Sequence, residues 1–251
     1  MADSAVDEAA RRELAPTGTL RVAIAVGPAA SALWAVKEAS GKPRGVAVEL
    51  GTALAGKLGV PMTLVEYSGS GAIVAAADRD EWDVTFVPVD DERKRVLDFG
   101  APYHLLQSTY LVAPGSTLRT LAEVDRAGVR VAGVDGTATF RAARRTAPNA
   151  TFVTVKGPDQ AVALMRAGEI DAMALSRETI AGLLDALPGA RALDEAFMNS
   201  TTAVAVRKNR PAARAYVTDF IEEAKASGLI RRAFDAMGLK TSQVAPPGME
   251  P

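Results

Sequence analysis

A charged run in the first half of the chain holds side chains that could bind an anion. The run reads Asp90-Asp91-Glu92-Arg93-Lys94-Arg95. A guanidinium presents a planar fork of N–H donors that matches a carboxylate, so an arginine here could bind an acidic ligand. The alternative is an ordinary solvated charged surface, and the run taken by itself favours that alternative.

Two turns that open predicted helices offer polar groups of a second kind. The later turn is Gly136-Thr137-Ala138-Thr139, and the earlier one is Ser68-Gly69-Ser70, with Tyr67 before it. Free amide groups and a hydroxyl at a helix N-terminus can hold an anion. The alternative for Thr137 is a plain N-cap, which is the commoner use of threonine there. Both roles are compatible.

The composition excludes several kinds of chemistry. The 251 residues include 29 Lys and Arg against 30 Asp and Glu, a net charge of −1, which supplies no attractive field for nucleic acid or an anionic membrane. The chain has no cysteine, so disulfides, thiolate catalysis and cysteine-based zinc sites are excluded. His104 is the single histidine, which excludes sites built on paired histidines. We expect no cofactor and no metal.

The N-terminal sequence bears on where the protein works. The start, MADSAVDEAARREL, lacks a basic segment followed by an apolar one, so it does not read as a signal peptide. No apolar run approaches the length of a membrane span. Met1 is either a natural start or a replacement for a removed leader, and the sequence leaves both open.

Strand and helix patterns alternate along the chain. Apolar runs predict strands at 20–26, 60–65, 83–89, 108–113, 129–134, 151–155, 171–175 and 202–206. Helical spacing and capping residues predict helices at 3–14, 46–58, 68–77, from 136 onward, and at 159–167, 178–187, 211–226 and 230–237. This alternation predicts an α/β protein with parallel sheets covered by helices. It runs twice, which suggests two lobes, although no fixed-period repeat is visible. Ligands of such sheets bind beyond the carboxyl ends of the strands.

Six segments appear together in an order that resembles the family 3 extracellular solute-binding proteins, the receptors of ABC importers for polar amino acids and related molecules. The segments are 18–24, 41–61, 81–103, 136–140, 161–172 and 203–211. The resemblance implies a type II periplasmic-binding-protein fold, with a ligand cleft between two lobes and a hinge of two crossovers, near 105–112 and 200–206. The implied parts are an N-terminal extension (1–17), lobe 1 (18–108), lobe 2 (109–203) and a return to lobe 1 (204–251).

The resemblance also assigns roles to residues. Arg93, by its distance from Phe99, matches the family's arginine that grips the ligand's α-carboxylate, and Asp90 or Asp91 would orient it. The turn of Gly136, Thr137, Ala138 and Thr139 matches the other side of that carboxylate site. Ser70 and Tyr67 fall where the family touches its ligand, often with an aromatic residue.

Three departures from the family pattern argue against an ordinary L-α-amino acid ligand. Ser176 stands where amino-acid receptors place the aspartate that binds the ammonium group, and a serine cannot neutralise a desolvated ammonium. Pro28 or its alanine neighbours replace the aromatic residue expected after the first strand. The segment from Asp83 to Phe99 also looks about two residues short. A carboxylate without the amine, or a differently arranged polar compound, fits better.

The remaining aromatic and titratable residues have ordinary interpretations beside functional ones. Trp82 is expected to pack in the core, whereas Trp34 either lines the cleft or covers the sheet. His104 is expected to be a packed or surface residue near the hinge rather than a switch. Glu178 and Asp135 lie near the expected cleft, where solvated or capping roles are the ordinary ones.

The residues and the resemblance together favour a solute receptor that captures a small carboxylate-bearing solute. The resemblance further implies hinge closure, a periplasmic location, a monomeric state and an ABC transporter permease as partner. One alternative is an enzyme similar to cyclohexadienyl dehydratase, with Glu178 as general acid. Another is a cytoplasmic effector-sensing domain, although no DNA-binding segment precedes Leu20.

Overall fold

The computed structural model describes residues 2–26 and 31–251 and divides the chain into two compact units. Unit 1 comprises Met1–Leu105 and Thr201–Pro251, and unit 2 comprises Leu106–Ser200. The two boundaries between the units, after Leu105 and after Ser200, each lie three residues before the corresponding predicted lobe boundary.

The helices are α1 (Ala2–Leu14), α2 (Val46–Leu58), α3 (Ser70–Ala75), α4 (Asp91–Val96), α5 (Leu121–Val124), α6 (Ala138–Thr146), α7 (Pro158–Arg166), α8 (Arg177–Leu183), α9 (Pro211–Ala226) and α10 (Leu229–Ala236). A short 3-10 turn, Leu184–Ala186, follows α8. The strands are β1 (Leu20–Ala25), β2 (Val36–Lys37), β3 (Pro43–Arg44), β4 (Met62–Tyr67), β5 (Val84–Pro88), β6 (Leu97–Val112), β7 (Arg130–Val134), β8 (Thr151–Val155), β9 (Ala172–Ser176), β10 (Arg191–Ala192), β11 (Met198–Arg207) and β12 (Gln243–Val244).

Each unit contains a sheet that is mixed rather than wholly parallel, so the expectation of parallel sheets was too simple. In unit 1, β1 pairs in parallel with β4 and β5, and β11 pairs antiparallel with β5. In unit 2, β7 pairs in parallel with β8 and β9, and β6 pairs antiparallel with β9. The antiparallel members, β6 and β11, are the two strands that cross from one unit to the other along the chain.

The N-terminal helix belongs to unit 1 by its contacts, since its last turn is bonded to α9 and α2. The Glu13 carboxylate accepts a hydrogen bond from the Ala213 amide at 2.8 Å, and its carbonyl accepts one from Arg210 at 2.7 Å. Arg11 donates to the Leu58 carbonyl at 2.7 Å. The predicted extension 1–17 is thus tied to the unit by both side-chain and backbone groups.

Strand β9 shows how the cores are arranged in unit 2. Ala172 and Ala174 belong to one buried cluster with Tyr110 and Val131. Met173 and Leu175, which alternate with them, belong to a second cluster around Met165 and Ile180. Because successive side chains of a strand point to opposite faces, the sheet of unit 2 is covered by apolar side chains on both faces.

An arginine–aspartate clamp joins two strand starts in each unit. In unit 1, Arg21 donates its backbone N–H, Nε and Nη2 to Asp83 at 3.0, 2.8 and 2.7 Å. In unit 2, Arg130 donates the same three groups to Asp171 at 2.8, 3.0 and 2.8 Å. Both clamps lie at the amino ends of their strands, so the carboxyl ends, where ligands of such sheets bind, carry other chemistry.

Candidate functional site

Arg93 lies in the first half of α4 and is almost completely buried. Asp90 begins this helix, because its carboxylate accepts a hydrogen bond from the Arg93 amide at 2.9 Å. The side chain of Arg93 is 2% exposed, whereas the other residues of α4 are exposed. The interpretation of the run as a wholly solvated surface is therefore wrong at this one position.

Groups from three elements hold the Arg93 guanidinium within unit 1. Nη1 donates to the carbonyl of Pro88 at the end of β5, at 3.0 Å. Nη2 donates to the hydroxyl of Ser70 at the start of α3, at 2.9 Å. Nε lies 3.7 Å from a carboxylate oxygen of Asp90. The Pro88 and Ser70 groups are neutral acceptors that hold the guanidinium in place, and Asp90 is the charged group among these contacts.

Two other residues expected to touch a ligand in unit 1 have contacts that point elsewhere. The Tyr67 hydroxyl donates to Glu81 at 2.7 Å, and partial burial together with this bond raises the pKa of Tyr67 to about 12. Trp34 and Tyr67 are partly buried and pack against the apolar cluster that contains Trp82. For Trp34 these contacts match the sheet-covering alternative. Pro28, the expected replacement for an aromatic residue, lies outside the described residues.

In unit 2, the turn between β7 and α6 has the geometry of a helix start. Gly136 adopts φ +67°, and its amide donates to Asp135 at 2.9 Å. Thr137 is the N-cap: its hydroxyl accepts from the Phe140 amide at 3.1 Å and donates to the Val134 carbonyl at 2.8 Å. The capping role predicted for Thr137 is confirmed, and a role in anion binding stays a prediction. Ala138, the first residue of α6, is buried.

Hydroxyl groups gather at the edge of the unit 2 sheet where the parallel strand β9 ends. Ser108 on β6 pairs directly with Ser176, the last residue of β9. The Ser108 hydroxyl lies 2.9 Å from that of Thr139, and the Ser176 hydroxyl lies 3.0 Å from that of Thr179. Ser176 also caps α8 by accepting from the Thr179 amide at 3.2 Å. Ser176, which the resemblance matched to the aspartate of amino-acid receptors, is a neutral capping group in this structure.

The remaining candidates, Trp82, His104, Asp135 and Glu178, lie in positions that fit packing or helix-capping roles. Trp82 is fully buried and donates to the Ile73 carbonyl at 3.2 Å, so its packing role is confirmed. His104 is buried on β6, with Nδ1 3.4 Å from the Thr202 hydroxyl and its ring against Phe234. Asp135 caps the amide after it, and Glu178 is half-buried in the first turn of α8.

Sequence reasoning missed two groups that the structure brings into these clusters. Ser108 was placed only as the start of a strand, and its position beside Ser176 depends on the β6–β9 register. The Pro88 carbonyl is a backbone acceptor, for which residue identity gives no signal.

Across residues 2–26 and 31–251, no cluster of three or more acidic or histidine side chains has the geometry to hold a metal ion. Within the same ranges, no helix combines the length and apolar character needed to cross a bilayer.

Comparison with known proteins gives consistent matches. Residues 22–237 match the model of the bacterial extracellular solute-binding proteins, family 3. The L-cystine-binding protein TcyJ of Escherichia coli (strain K12) is 28% identical over 194 residues, which are 76% of this chain and 73% of that protein. The ABC transporter glutamine-binding protein GlnH of Bacillus subtilis (strain 168) is 22% identical over 145 residues, 58% of this chain and only about half (53%) of that protein.

A solved structure supports the fold. An ancestral amino acid-binding protein, described as a precursor of cyclohexadienyl dehydratase, superposes with a TM-score of 0.78 at 24% identity. The superposition covers 93% of this chain and 99% of that chain. The chain therefore has the α/β fold of amino-acid-binding proteins.

Proposed function

Because the chain belongs to the bacterial extracellular solute-binding proteins of family 3, we propose that it is the receptor of an ABC importer for a small carboxylate-bearing solute. The observation that carries this proposal is the buried guanidinium of Arg93, held by Ser70, Pro88 and Asp90. A cation fixed in a low-dielectric surrounding binds a carboxylate more strongly than a solvated one, because less ordering is needed on binding.

The ligand we propose lacks an ammonium group in the α-amino acid arrangement. Ser176 is neutral, and its hydroxyl already caps α8. The Thr179 hydroxyl lies 3.0 Å from that of Ser176, and Ser108, its partner across the sheet, has its own hydroxyl 2.9 Å from that of Thr139. An ammonium group placed here would lose its hydration without gaining a carboxylate from residue 176. Hydroxyl or carboxylate oxygens of a ligand, by contrast, can both donate to and accept from such a surface. The Thr137 turn supplies further polar groups in the same unit.

The related proteins named above bind amino acids according to their names, so amino acids form the comparison set for this proposal. The same proposal includes closure of the two units on the ligand, a membrane permease as partner, a monomeric state and a periplasmic location.

The dehydratase alternative requires turnover of prephenate or arogenate that is lost in Glu178→Gln. The effector-domain alternative requires a ligand response without any permease.

A thermal-shift screen over carboxylates, amino acids and aromatic acids tests the proposal. A ligand at 100 times its Kd stabilises the folded state by about 2.7 kcal/mol, which raises Tm by roughly 5–10 °C in a chain of this size. We expect the largest shift from an acid that lacks the α-amino group. Arg93→Ala should abolish that shift, and Arg93→Lys should leave only part of it.

Arg95→Ala is the matched control, because Arg95 lies two residues later on the same helix and is exposed. It should leave the shift unchanged. A full shift in Arg93→Ala would remove Arg93 from the site. A larger shift with amino acids than with their deaminated analogues would overturn the ligand class.

A further inference from the structure

The hydroxyl of Ser70 differs from the other helix-start hydroxyls of this protein. Thr137 and Ser176 are N-caps whose hydroxyls accept backbone amides of their own helices. Ser70 is instead the first residue of α3; the N-cap is Gly69, and no side chain caps that helix. The Ser70 hydroxyl accepts its hydrogen bond from Arg93 Nη2, 23 positions later in the chain. Helix formation therefore does not account for a hydroxyl at position 70.

We infer that Ser70 is a positioning residue, which sets the orientation of the Arg93 guanidinium before any ligand arrives. This inference deepens the proposed function and rests on it for its consequence in binding. The resemblance had suggested a direct ligand contact for Ser70. In the structure, the Ser70 hydroxyl accepts a hydrogen bond from Arg93 Nη2 at 2.9 Å, and a direct contact with the ligand stays a prediction.

The geometry explains why one hydroxyl can have this effect. Arginine has a long flexible stem, and its ordering costs conformational entropy. Nη1 is held by the Pro88 carbonyl and Nη2 by Ser70, so two bonds from different elements fix both the position and the plane of the guanidinium. With the hydroxyl removed, Nη2 loses this bond while the Pro88 bond to Nη1 remains, so the plane of the guanidinium is less restrained. The Asp90 carboxylate oxygen facing Nε lies 3.7 Å away, beyond ordinary hydrogen-bond length.

The test compares Ser70→Ala with Ser70→Thr, which keeps an acceptor, and with Ser68→Ala as a matched control. Ser68 is an exposed serine two residues earlier in the same turn. In protein labelled with 13C and 15N arginine, NMR exchange measures rotation about the Cζ–Nη2 bond of Arg93, assigned by loss of its signal in Arg93→Lys. We expect about tenfold faster rotation in Ser70→Ala, recovery in Ser70→Thr and no change in Ser68→Ala. If Ser70→Ala does not fold, Ser70→Cys, whose sulfur is a weak acceptor of similar size, replaces it.

A second measurement links orientation to binding. Acetate is titrated into each variant with neutral acetamide as the control, and the Arg93 Nε–H signal is followed. We expect the acetate affinity to fall about tenfold in Ser70→Ala and to recover in Ser70→Thr. Unchanged Nη2 rotation in Ser70→Ala would overturn the inference. If acetate fails to perturb Arg93 even in the original protein while the rotation responds as expected, the positioning role stands and the proposed carboxylate site fails.

Discussion

Replacing Gly133 by alanine should disturb the turn that begins α6, because β7 and α6 meet there with no room for a methyl group. A Cβ at position 133 would lie 1.9 Å from Cδ2 and 2.4 Å from Cε2 of Phe140. The Phe140 ring is 4% exposed and packs edge-on against Phe152, with 5.8 Å between ring centroids. The Phe140 amide also donates to the Thr137 hydroxyl. Moving Phe140 therefore moves the polar turn as well.

The magnitude follows from the overlap. Ordinary contacts between carbon atoms are about 3.5–4.0 Å, so the ring must retreat by roughly 1.5–2 Å. Overpacking of a filled core typically costs about 1–3 kcal/mol, and an overlap with a buried ring belongs at the upper end of that range. For a chain of this length, about 2–3 kcal/mol corresponds to a fall in Tm of roughly 4–12 °C.

Thermal denaturation followed by circular dichroism measures this effect, with urea titration as a second determination. Gly56→Ala is the control, because Gly56 lies inside α2 and a Cβ there meets nothing within 4 Å. It should stabilise the protein by about 0.5–1 kcal/mol. A Gly133→Ala variant as stable as the original protein would refute the claim that Phe140 is fixed against β7.

Two further predictions concern unit 2. The hydrogen bonds from Arg130 hold the pKa of Asp171 below its ordinary value, so this carboxylate stabilises the fold above about pH 4 and its contribution is lost as pH falls through the lowered pKa. Asp171→Asn should therefore have a lower Tm than the original protein at neutral pH and lose less between about pH 5 and pH 3; parallel Tm curves would contradict this. Thr137→Ala should cost about 1 kcal/mol, or roughly 2–4 °C in Tm, because the Phe140 amide loses its cap, while Thr137→Ser should cost little. Equal losses in both Thr137 variants would show that the hydroxyl does not cap α6.

The strongly patterned elements could be predicted from the sequence. Helices α2 and α9 and strand β8 begin and end at the predicted residues. Each has a clear local signal: α2 stops at Gly59 in the left-handed conformation, and α9 starts at Pro211. Where local propensity and tertiary packing agree, the pattern is sufficient.

Strand β6 shows where the pattern fails. A strand was predicted only for 108–113, yet the strand runs over Leu97–Val112. Gly100 and Pro102 interrupt the usual strand composition, and almost every residue is buried, so no alternation is visible. Its extended form is supported by pairing with β9, β10 and β12, which are distant in the chain. Such support cannot be read from a local window.

The sequence could predict which residue types form the candidate site, but not how buried they are or which groups they bind. The sequence pointed to Arg93 through a resemblance, but its burial depends on the Asp90 cap that turns the charged run into a short helix with one inward-facing position. The bond from Tyr67 to Glu81 likewise depends on where two separate elements meet. Charges and hydroxyls are visible in a sequence, whereas their partners are set by tertiary contacts.

The two arginine–aspartate clamps mark corresponding positions in unit 1 and unit 2. Counted from them, Thr63 corresponds to Thr151, Gly69 to Gly157 and Asp83 to Asp171, always 88 positions apart. Strands β5 and β9 coincide from first to last residue under this shift. The spacing differs before that point, since the stretch between the clamp arginine and the matching threonine is about twice as long in the first half. The strand–helix–strand arrangement of unit 1 thus has a counterpart in unit 2, and the two final strand residues have different roles: the Pro88 carbonyl accepts from a cation, and Ser176 caps a helix.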